Sequence, residues 1–279
     1  MNYLLFNKKA KNRNSIEKVA DLKEKYNCGE VVDVIGLNVD EFLAKLSEND
    51  EVTLVGGDGT LNKFVNNVDG KILPCKFYFF SAGTGNDFLN DMKDHAQNDR
   101  IYLNDLIKNL PTVFVNGESY KFINGIGYGI DGYCCEVGDE LQKTSTKPVN
   151  YTSIAIKGLL FHYKAPNAKV TVDGVTKEYK KVWLAPTMKG RFYGGGMMVA
   201  PSQNRFDENG LLTNVVLHHS GKIHTLMVFP KIFKGEHVKH TKMVDVRTGK
   251  HFIVEFDAPQ ALQVDGETIV GVTKYEVRV

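Results

Sequence analysis

Nowhere does the sequence carry about 18 consecutive apolar residues, which excludes a membrane-spanning helix. Cysteine is scarce. Cys28, Cys75, Cys134 and Cys135 make no C-x-x-C pair and no disulfide framework, which fits a reducing, cytoplasmic setting. Neither sign of charge dominates: 35 Lys and Arg face 33 Asp and Glu, a net charge of +2, too weak a field to expect nucleic acid as a partner. Internal repeats and low-complexity segments are missing as well. The opening "MNYLLFNKKAKN" has an apolar run too short for a secretion signal and reads as a first strand.

What is present is an ordinary globular composition, 42% hydrophobic and 24% charged, in a chain of 279 residues with room for two domains. Up to about residue 111, short apolar runs alternate with helical patterns. "NYLLF", "EVVDVIGL", "EVTLV" and "KFYFF" are strand-like. "SIEKVADLKEKY", "VDEFLAKL", the stretch after Gly59 and "NDFLNDM" are helical. Leu61, Phe64, Val65 and Val68 fall at i, i+3, i+4 and i+7, the period of a helix buried on one face. Such alternation predicts a parallel sheet covered by helices. Beyond Pro111 the signals turn to β. Asn116-Gly117, Asp173-Gly174 and Asp265-Gly266 are hairpin dipeptides, and Thr248-Gly249 separates two further apolar runs. Two helical stretches interrupt, about 150–163 and 222–234. The expectation is an α/β domain over 1–112 and a β-rich domain over 113–279.

Two glycine turns occupy equivalent places in the first domain. "EVTLV" leads into Gly56-Gly57-Asp58-Gly59-Thr60 and a helix; "KFYFF" leads into "SAGTGND" and a helix. In an open parallel sheet both turns lie at the carboxyl ends of their strands, where ligands bind. Glycines let the backbone come close and aim N–H groups at an anion. Asp58 would repel a bare anion, but a carboxylate among phosphate-binding amides fits Mg²⁺, which takes one or two carboxylates together with substrate phosphates. The competing reading is a tight strand–helix turn with Asp58 as its N-cap. Asn86 or Asp87 can cap the second helix. "GYGIDG", 127–132, matches G-x-G-x-x-G formally but lies outside a βαβ unit, which argues against a dinucleotide site.

The Gly-Gly-Asp-Gly-Thr turn, "GTGNDF" and "LQVDGE" in this order, with "NGIGYGIDG" and "YGGGMMVAP" between them, resemble the diacylglycerol kinase catalytic family, related to sphingosine and ceramide kinases and more distantly to NAD kinases and phosphofructokinases. The resemblance implies a phosphofructokinase-like α/β N-terminal domain, a C-terminal β-sandwich-like domain, an active site in a cleft between them, and transfer of the ATP γ-phosphoryl group to a lipid hydroxyl with Mg²⁺. By matching motif, Gly56, Gly57, Asp58, Gly59, Thr60, Leu61 and Asn62 cradle the phosphates and metal. Gly83, Thr84, Gly85 and Asn86 contact the nucleotide. Asn7 ends the first strand, where "KKAKN" replaces the family's Asn-Pro and Ser-Gly, and Lys8 and Lys9 supply cations there. Asp265 and Glu267 match the acidic pair that furnishes the base, with Asp58 the next catalytic candidate. Asp207 matches a structural metal ligand, although Glu208 and Asn209 stand between it and Gly210.

The implied partners are a lipid met at a membrane surface, no nucleic acid, and, as an open option, a second copy in a homodimer. Residues 218–250 hold seven Lys or Arg against Glu236 and Asp245, with Phe229, Ile232 and Phe233 among them, a composition suited to anionic headgroups or to a solvated basic face. A soluble-metabolite kinase of the NAD kinase type is the alternative enzyme, and it lacks its usual Asn-Glu dipeptide here. A non-catalytic nucleotide-binding module is opposed by the retained Asp58, Asp265 and Glu267.

Overall fold

In a computed structural model the described residues are 1–8, 14–83, 85–144 and 149–279. They form two compact units, Met1–Leu110 and Pro111–Val279.

The first unit alternates strand and helix: β1 (Asn2–Phe6), α1 (Asn14–Lys25), β2 (Glu30–Asp33), α2 (Val39–Lys45), β3 (Glu51–Gly56), α3 (Asp58–Val68), β4 (Lys76–Ser81), α4 (Asp87–Met92), β5 (Ile101–Tyr102) and α5 (Asn104–Ile107). Its five-stranded sheet runs β2-β1-β3-β4-β5. The first four strands are parallel, and only β5, an edge of two residues, is antiparallel. Leu4, Leu5, Val52, Leu54, Val55, Phe77 and Phe79 are almost completely buried, the continuous apolar pattern of strands covered on both faces. The helical period of α3 is realised: Leu61, Phe64, Val65 and Val68 are all buried. Parallel pairing brings Gly56 and Ser81 level at the carboxyl ends of β3 and β4, so the two glycine turns start side by side.

The second unit is β-rich: β6 (Thr112–Val115), β7 (Glu118–Lys121), β8 (Gly125–Tyr128), α6 (Ile130–Thr144), α7 (Tyr151–Lys157), β9 (Ala168–Val172), β10 (Val175–Tyr179), β11 (Thr187–Met188), β12 (Leu212–Leu217), α8 (Lys222–Val228), β13 (Val244–Gly249), β14 (His251–Val264) and β15 (Glu267–Arg278). A π turn, Gly158–His162, continues α7, and a 3-10 segment, Phe229–Lys234, continues α8. All strand pairs here are antiparallel. The long β14 serves both ends of a sandwich-like arrangement: Phe252–Phe256 pairs with β9, and Leu262–Val264 pairs with β8. Tyr128, Phe256 and Tyr275 lie in the core along it, the Tyr128 and Phe256 rings stacked 3.9 Å apart. At Asn116-Gly117, Asp173-Gly174 and Asp265-Gly266 both residues have positive φ, as a two-residue hairpin turn requires. Thr248-Gly249 is not a hairpin: β13 pairs with β12, and β14 turns to other partners.

One long helix, α6, was not read from the sequence. Gly132 and Gly138 break its apolar row, and they do so because the helix lies close against its neighbours. A Cβ on Gly132 would overlap the Ala261 carbonyl of β14; on Gly138 it would meet the Tyr151 ring at 2.5 Å. Gly132→Ala is therefore expected to destabilise the second unit by about 1–3 kcal/mol, the cost of overpacking. Urea unfolding followed by Trp183 fluorescence, from the protein's single tryptophan, measures it.

Candidate functional site

In the first unit the two glycine turns touch backbone to backbone. A Cβ on Gly57 would come 3.2 Å from the Gly83 Cα, and one on Gly83 would come 2.6 Å from the Gly57 Cα. Neither position has room for a larger residue. The Ala82 amide donates to the Gly56 carbonyl at 2.8 Å, extending the β3–β4 ladder into the turns.

Asp58 locks them together. It begins α3, whose N-cap is Gly57, yet its carboxylate caps the other helix: the Asp87 amide donates to Oδ2 and the Phe88 amide to Oδ1, both at 3.0 Å. Expected caps from Asn86 or Asp87 are thus corrected. Asn86 sits in the left-handed region at φ 53°, and its Oδ1 accepts from the Ser81 hydroxyl at 2.6 Å instead. Asp58 is half-buried beside these amides, a carboxylate set between two glycine turns.

Asp58 and Thr60, both half-buried in the same turn, carry oxygen side chains, the ligand type Mg²⁺ prefers. Among the described residues no three His, Cys, Asp or Glu side chains gather into a metal cage. A Mg²⁺ at such a turn would draw its remaining ligands from waters and phosphate oxygens.

The other expected ligand residues fall as follows. Gly56, Gly59 and Gly85 are in the turns, and a Cβ on Gly85 would stand 3.4 Å from Asp58 Oδ2. The side chain of Leu61 is in the core, and its amide donates to the Gly57 carbonyl. Asn62 is buried and accepts from the Asn66 side-chain amide at 3.0 and 3.3 Å. Asn7 follows β1, half-buried, and the Lys8 amide donates to Asp33 Oδ1 at 3.3 Å. Thr84 and Lys9 lie outside the described residues.

In the second unit the acidic pair divides. Asp265 is buried, and its carboxylate accepts three backbone amides: Ile123 at 2.6 Å, and Asn124 and Gly125 both at 2.9 Å. Glu267, across the turn, is exposed. Gln263 Oε1 accepts the Gly266 amide at 2.6 Å and fixes the turn itself. Around the same amides lie two buried cations. Arg205 donates to the Ile123 carbonyl and, at 3.0 Å, to Asn124 Oδ1. The amides of Lys189 and Gly190 both donate to the Asn124 carbonyl at 2.9 Å; burial, then the nearby Arg205, hold the Lys189 ammonium below its ordinary pKa. Asp207 closes its own loop, accepting the Leu211 amide at 3.1 Å.

Asp131 is the group that sequence reading passed over. It opens α6 inside the formal G-x-G-x-x-G stretch, and its carboxyl packs on the bare backbone of Gly127. Neither carboxyl oxygen makes a full hydrogen bond, and the Tyr193 and Tyr163 hydroxyls are buried without partners as well. Burial raises its pKa to about 6, against weaker opposing effects of the Asp131 and Gly132 amides and the Tyr193 hydroxyl. Perturbed carboxyls of this kind cluster at functional sites. The signal available in the sequence was an acid placed directly after a buried strand and before a helix.

The folded state holds the Asp131 proton up to about pH 6, whereas an unfolded aspartate releases it near 3.8. Stability from this group is complete below pH 3.8 and is lost as pH rises through 6. Asp131→Asn, neutral throughout, is expected to gain about 2 kcal/mol on the wild type between pH 4 and pH 8. Thermal melts of both proteins at the two pH values check this; a difference that does not grow with pH contradicts it.

Residues 2–112 match the model of the diacylglycerol kinase catalytic domain, and residues 124–278 match that of the YegS C-terminal NAD kinase beta sandwich-like domain. A Mycobacterium tuberculosis protein named diacylglycerol kinase is 23% identical over 84% of this chain and 77% of its own. A Staphylococcus aureus diacylglycerol kinase is 26% identical over 80% of this chain and 70% of its own. Among solved structures, one described as a diacylglycerol kinase from Bacillus anthracis superposes with a TM-score of 0.61 at 18% identity, over 99% of this chain and 93% of that one, a likeness of fold.

Proposed function

The chain belongs to the diacylglycerol kinase-like family of lipid kinases, and from that premise we propose that it transfers the γ-phosphoryl group of ATP to a lipid hydroxyl, diacylglycerol or a close relative. The observation that carries the reading is Asp58 bonded across two glycine turns at the carboxyl ends of adjacent parallel strands. Such turns suit a polyphosphate, which side chains would keep at a distance. Gly57 and Gly83, with no Cβ, let the two turns meet, so that their backbone amides could serve one phosphate chain. Asp58 and the Thr60 hydroxyl would hold Mg²⁺, which when bound offsets the charge of the phosphates.

The base is Glu267. Asp265 is committed to three backbone amides, and accepting a proton would remove the charge that strengthens all three bonds. Glu267 stands exposed at the mouth of the same turn, two residues on, with its position fixed by what Asp265 and Gln263 anchor. Asp265 is thus a positioning residue, and Glu267 takes the hydroxyl proton as the new P–O bond forms and the bond from the γ-phosphorus to the bridging oxygen breaks, with ADP leaving. The four unpaired cysteines fit a reducing compartment such as the cytoplasm.

The class of substrate is tested by incubating the protein with radiolabelled ATP, Mg²⁺ and a panel of lipids and soluble alcohols. Label in an organic-extractable product is the expected result. Label confined to water-soluble products indicates a soluble-metabolite kinase instead.

Glu267→Gln should lower kcat by roughly 100- to 10,000-fold while leaving the melting temperature and nucleotide affinity unchanged. Asp265→Asn should lose roughly 2–4 kcal/mol of stability, because a buried amide would face three N–H donors. Steady-state kinetics with melts of both variants separates the roles; a stable Asp265→Asn protein with a larger kcat loss than Glu267→Gln would reverse them.

Asp58→Asn keeps one acceptor oxygen but loses the charge. It should cut turnover at least roughly 100-fold and raise the Mg²⁺ concentration needed for half-maximal rate. Wild-type turnover at limiting Mg²⁺ would remove Asp58 from metal binding.

A further inference from the structure

The second unit carries an apolar face that its own core leaves uncovered. In the π turn after α7, Phe161 is 71% exposed; on α8, Ile223 is 73% and Met227 56% exposed. Ile156 on α7 and Phe233 after α8 are also exposed. These side chains leave one platform. The inner sides of the same elements, Ile154, Ala155 and Leu159 with Val228, Phe229 and Ile232, belong to a single buried cluster. Lys222 joins the two segments at the surface, its ammonium donating to the Leu160 carbonyl at 2.7 Å.

The turn itself is built for this exposure. The Tyr163 amide reaches back five residues to the Gly158 carbonyl at 2.8 Å, the π pattern. Gly158 is required there, since a Cβ would meet the Tyr133 ring at 2.7 Å. With Leu159 and Tyr163 turned into the core, Phe161 is left pointing away from it.

The charge is one-sided. Residues 149–165 and 218–235 contain Lys157, Lys164, Lys222, Lys231 and Lys234 and no Asp or Glu. In a chain with near-balanced charge overall, the two segments that carry these exposed aromatic and aliphatic side chains thus hold cations and no acids. Apolar side chains that enter the acyl boundary, ringed by cations that meet headgroups, are the signature of an interfacial anchor.

We propose that the face formed by the Gly158–His162 turn and α8 docks the protein on an anionic bilayer, with Phe161, Ile223 and Met227 inserted and the lysines on the headgroups. The choice of a bilayer over a protein partner rests on the lipid-kinase reading, because such a substrate resides in one. No described helix is long and apolar enough to cross a membrane, so attachment by this face is peripheral.

The test is co-sedimentation with vesicles of phosphatidylcholine alone or with about one-third phosphatidylglycerol, in the absence of ATP. The wild type is expected to bind the anionic vesicles, and less so as salt is raised. The triple variant Phe161→Ser/Ile223→Ser/Met227→Ser should bind roughly ten-fold or more weakly, with its melting temperature kept because the three side chains are outside the core. Lys157→Glu/Lys164→Glu/Lys234→Glu should abolish the preference for anionic vesicles. Ile72→Ser, an exposed apolar residue in the other unit at 87%, should change nothing. Equal sedimentation of the wild type and the Ser triple variant overturns the proposal. So does a wild-type oligomer that the Ser variant loses without any change in vesicle binding, which would make the face a protein interface. Phosphorylation of a short-chain lipid below its aggregation concentration is read in parallel. Vesicle binding without any such activity leaves docking standing and removes the kinase reading; activity retained by a variant that no longer binds vesicles supports both.

Discussion

A carboxylate accepting hydrogen bonds from successive backbone amides is the constraint on which both candidate sites depend. Asp58 takes the amides of Asp87 and Phe88, about 30 residues away; Asp265 takes those of Ile123, Asn124 and Gly125, about 140 away. In each case a charged acceptor organises a turn whose own backbone donors would otherwise be left without partners, and charge-assisted bonds of this kind are among the stronger ones. The sites are therefore built chiefly from main chain. Their side chains are few, and they differ in setting: Asp58 is half-buried between the two glycine turns, and Glu267 is exposed beyond the hairpin turn that Asp265 anchors.

That logic separates residues a sequence motif treats alike. Asp265 and Glu267 are both acids in a single hairpin dipeptide motif, and their chemistry diverges only through the fold. Positive φ at Asp265 and Gly266 turns the chain so that one acid points back at β8 and the other leaves the sheet. Buried cations on the same segment reinforce the division. Arg205 reads the Ile123 carbonyl and the Asn124 side chain, so the three amides that hold Asp265 are themselves held from behind.

Much of the architecture was legible because it follows from periodicity. The continuous apolar strands and the i, i+3, i+4, i+7 row of α3 announced the parallel sheet, and the three Asx-Gly dipeptides marked the hairpins correctly. What stayed hidden depends on contacts distant in sequence. That Asp58 caps the helix after the other turn requires knowing that β3 and β4 are neighbours in register. The two-residue β5 carries no period at all. Thr248-Gly249 separates two apolar runs, as read, but that the strands on either side find other partners could not be read from it. Asp131 gave only the weak signal of an acid between a strand and a helix, because its distinguishing property, a carboxyl with no full hydrogen bond in an apolar site, is a property of its surroundings.

The helix missed in the sequence explains most about the second unit. α6 and its successor lie close together and close to the sheet because glycines stand at the crowded positions: Gly132 against the Ala261 carbonyl, Gly138 against the Tyr151 ring, Gly158 against Tyr133. Each glycine weakens the helical signal and costs about 1 kcal/mol in helix propensity relative to alanine. The return is an approach closer than side chains allow. Buried on their inner side to that depth, these elements have little apolar surface left to hide, yet Phe161, Ile223 and Met227 are kept large and outside. Folding gains nothing from them there, and exposed apolar side chains on adjoining elements favour association. An outer row that stability does not require, on two segments that hold lysines and no acid, is best accounted for by something the folded protein meets, and the docking proposed above makes that the membrane surface.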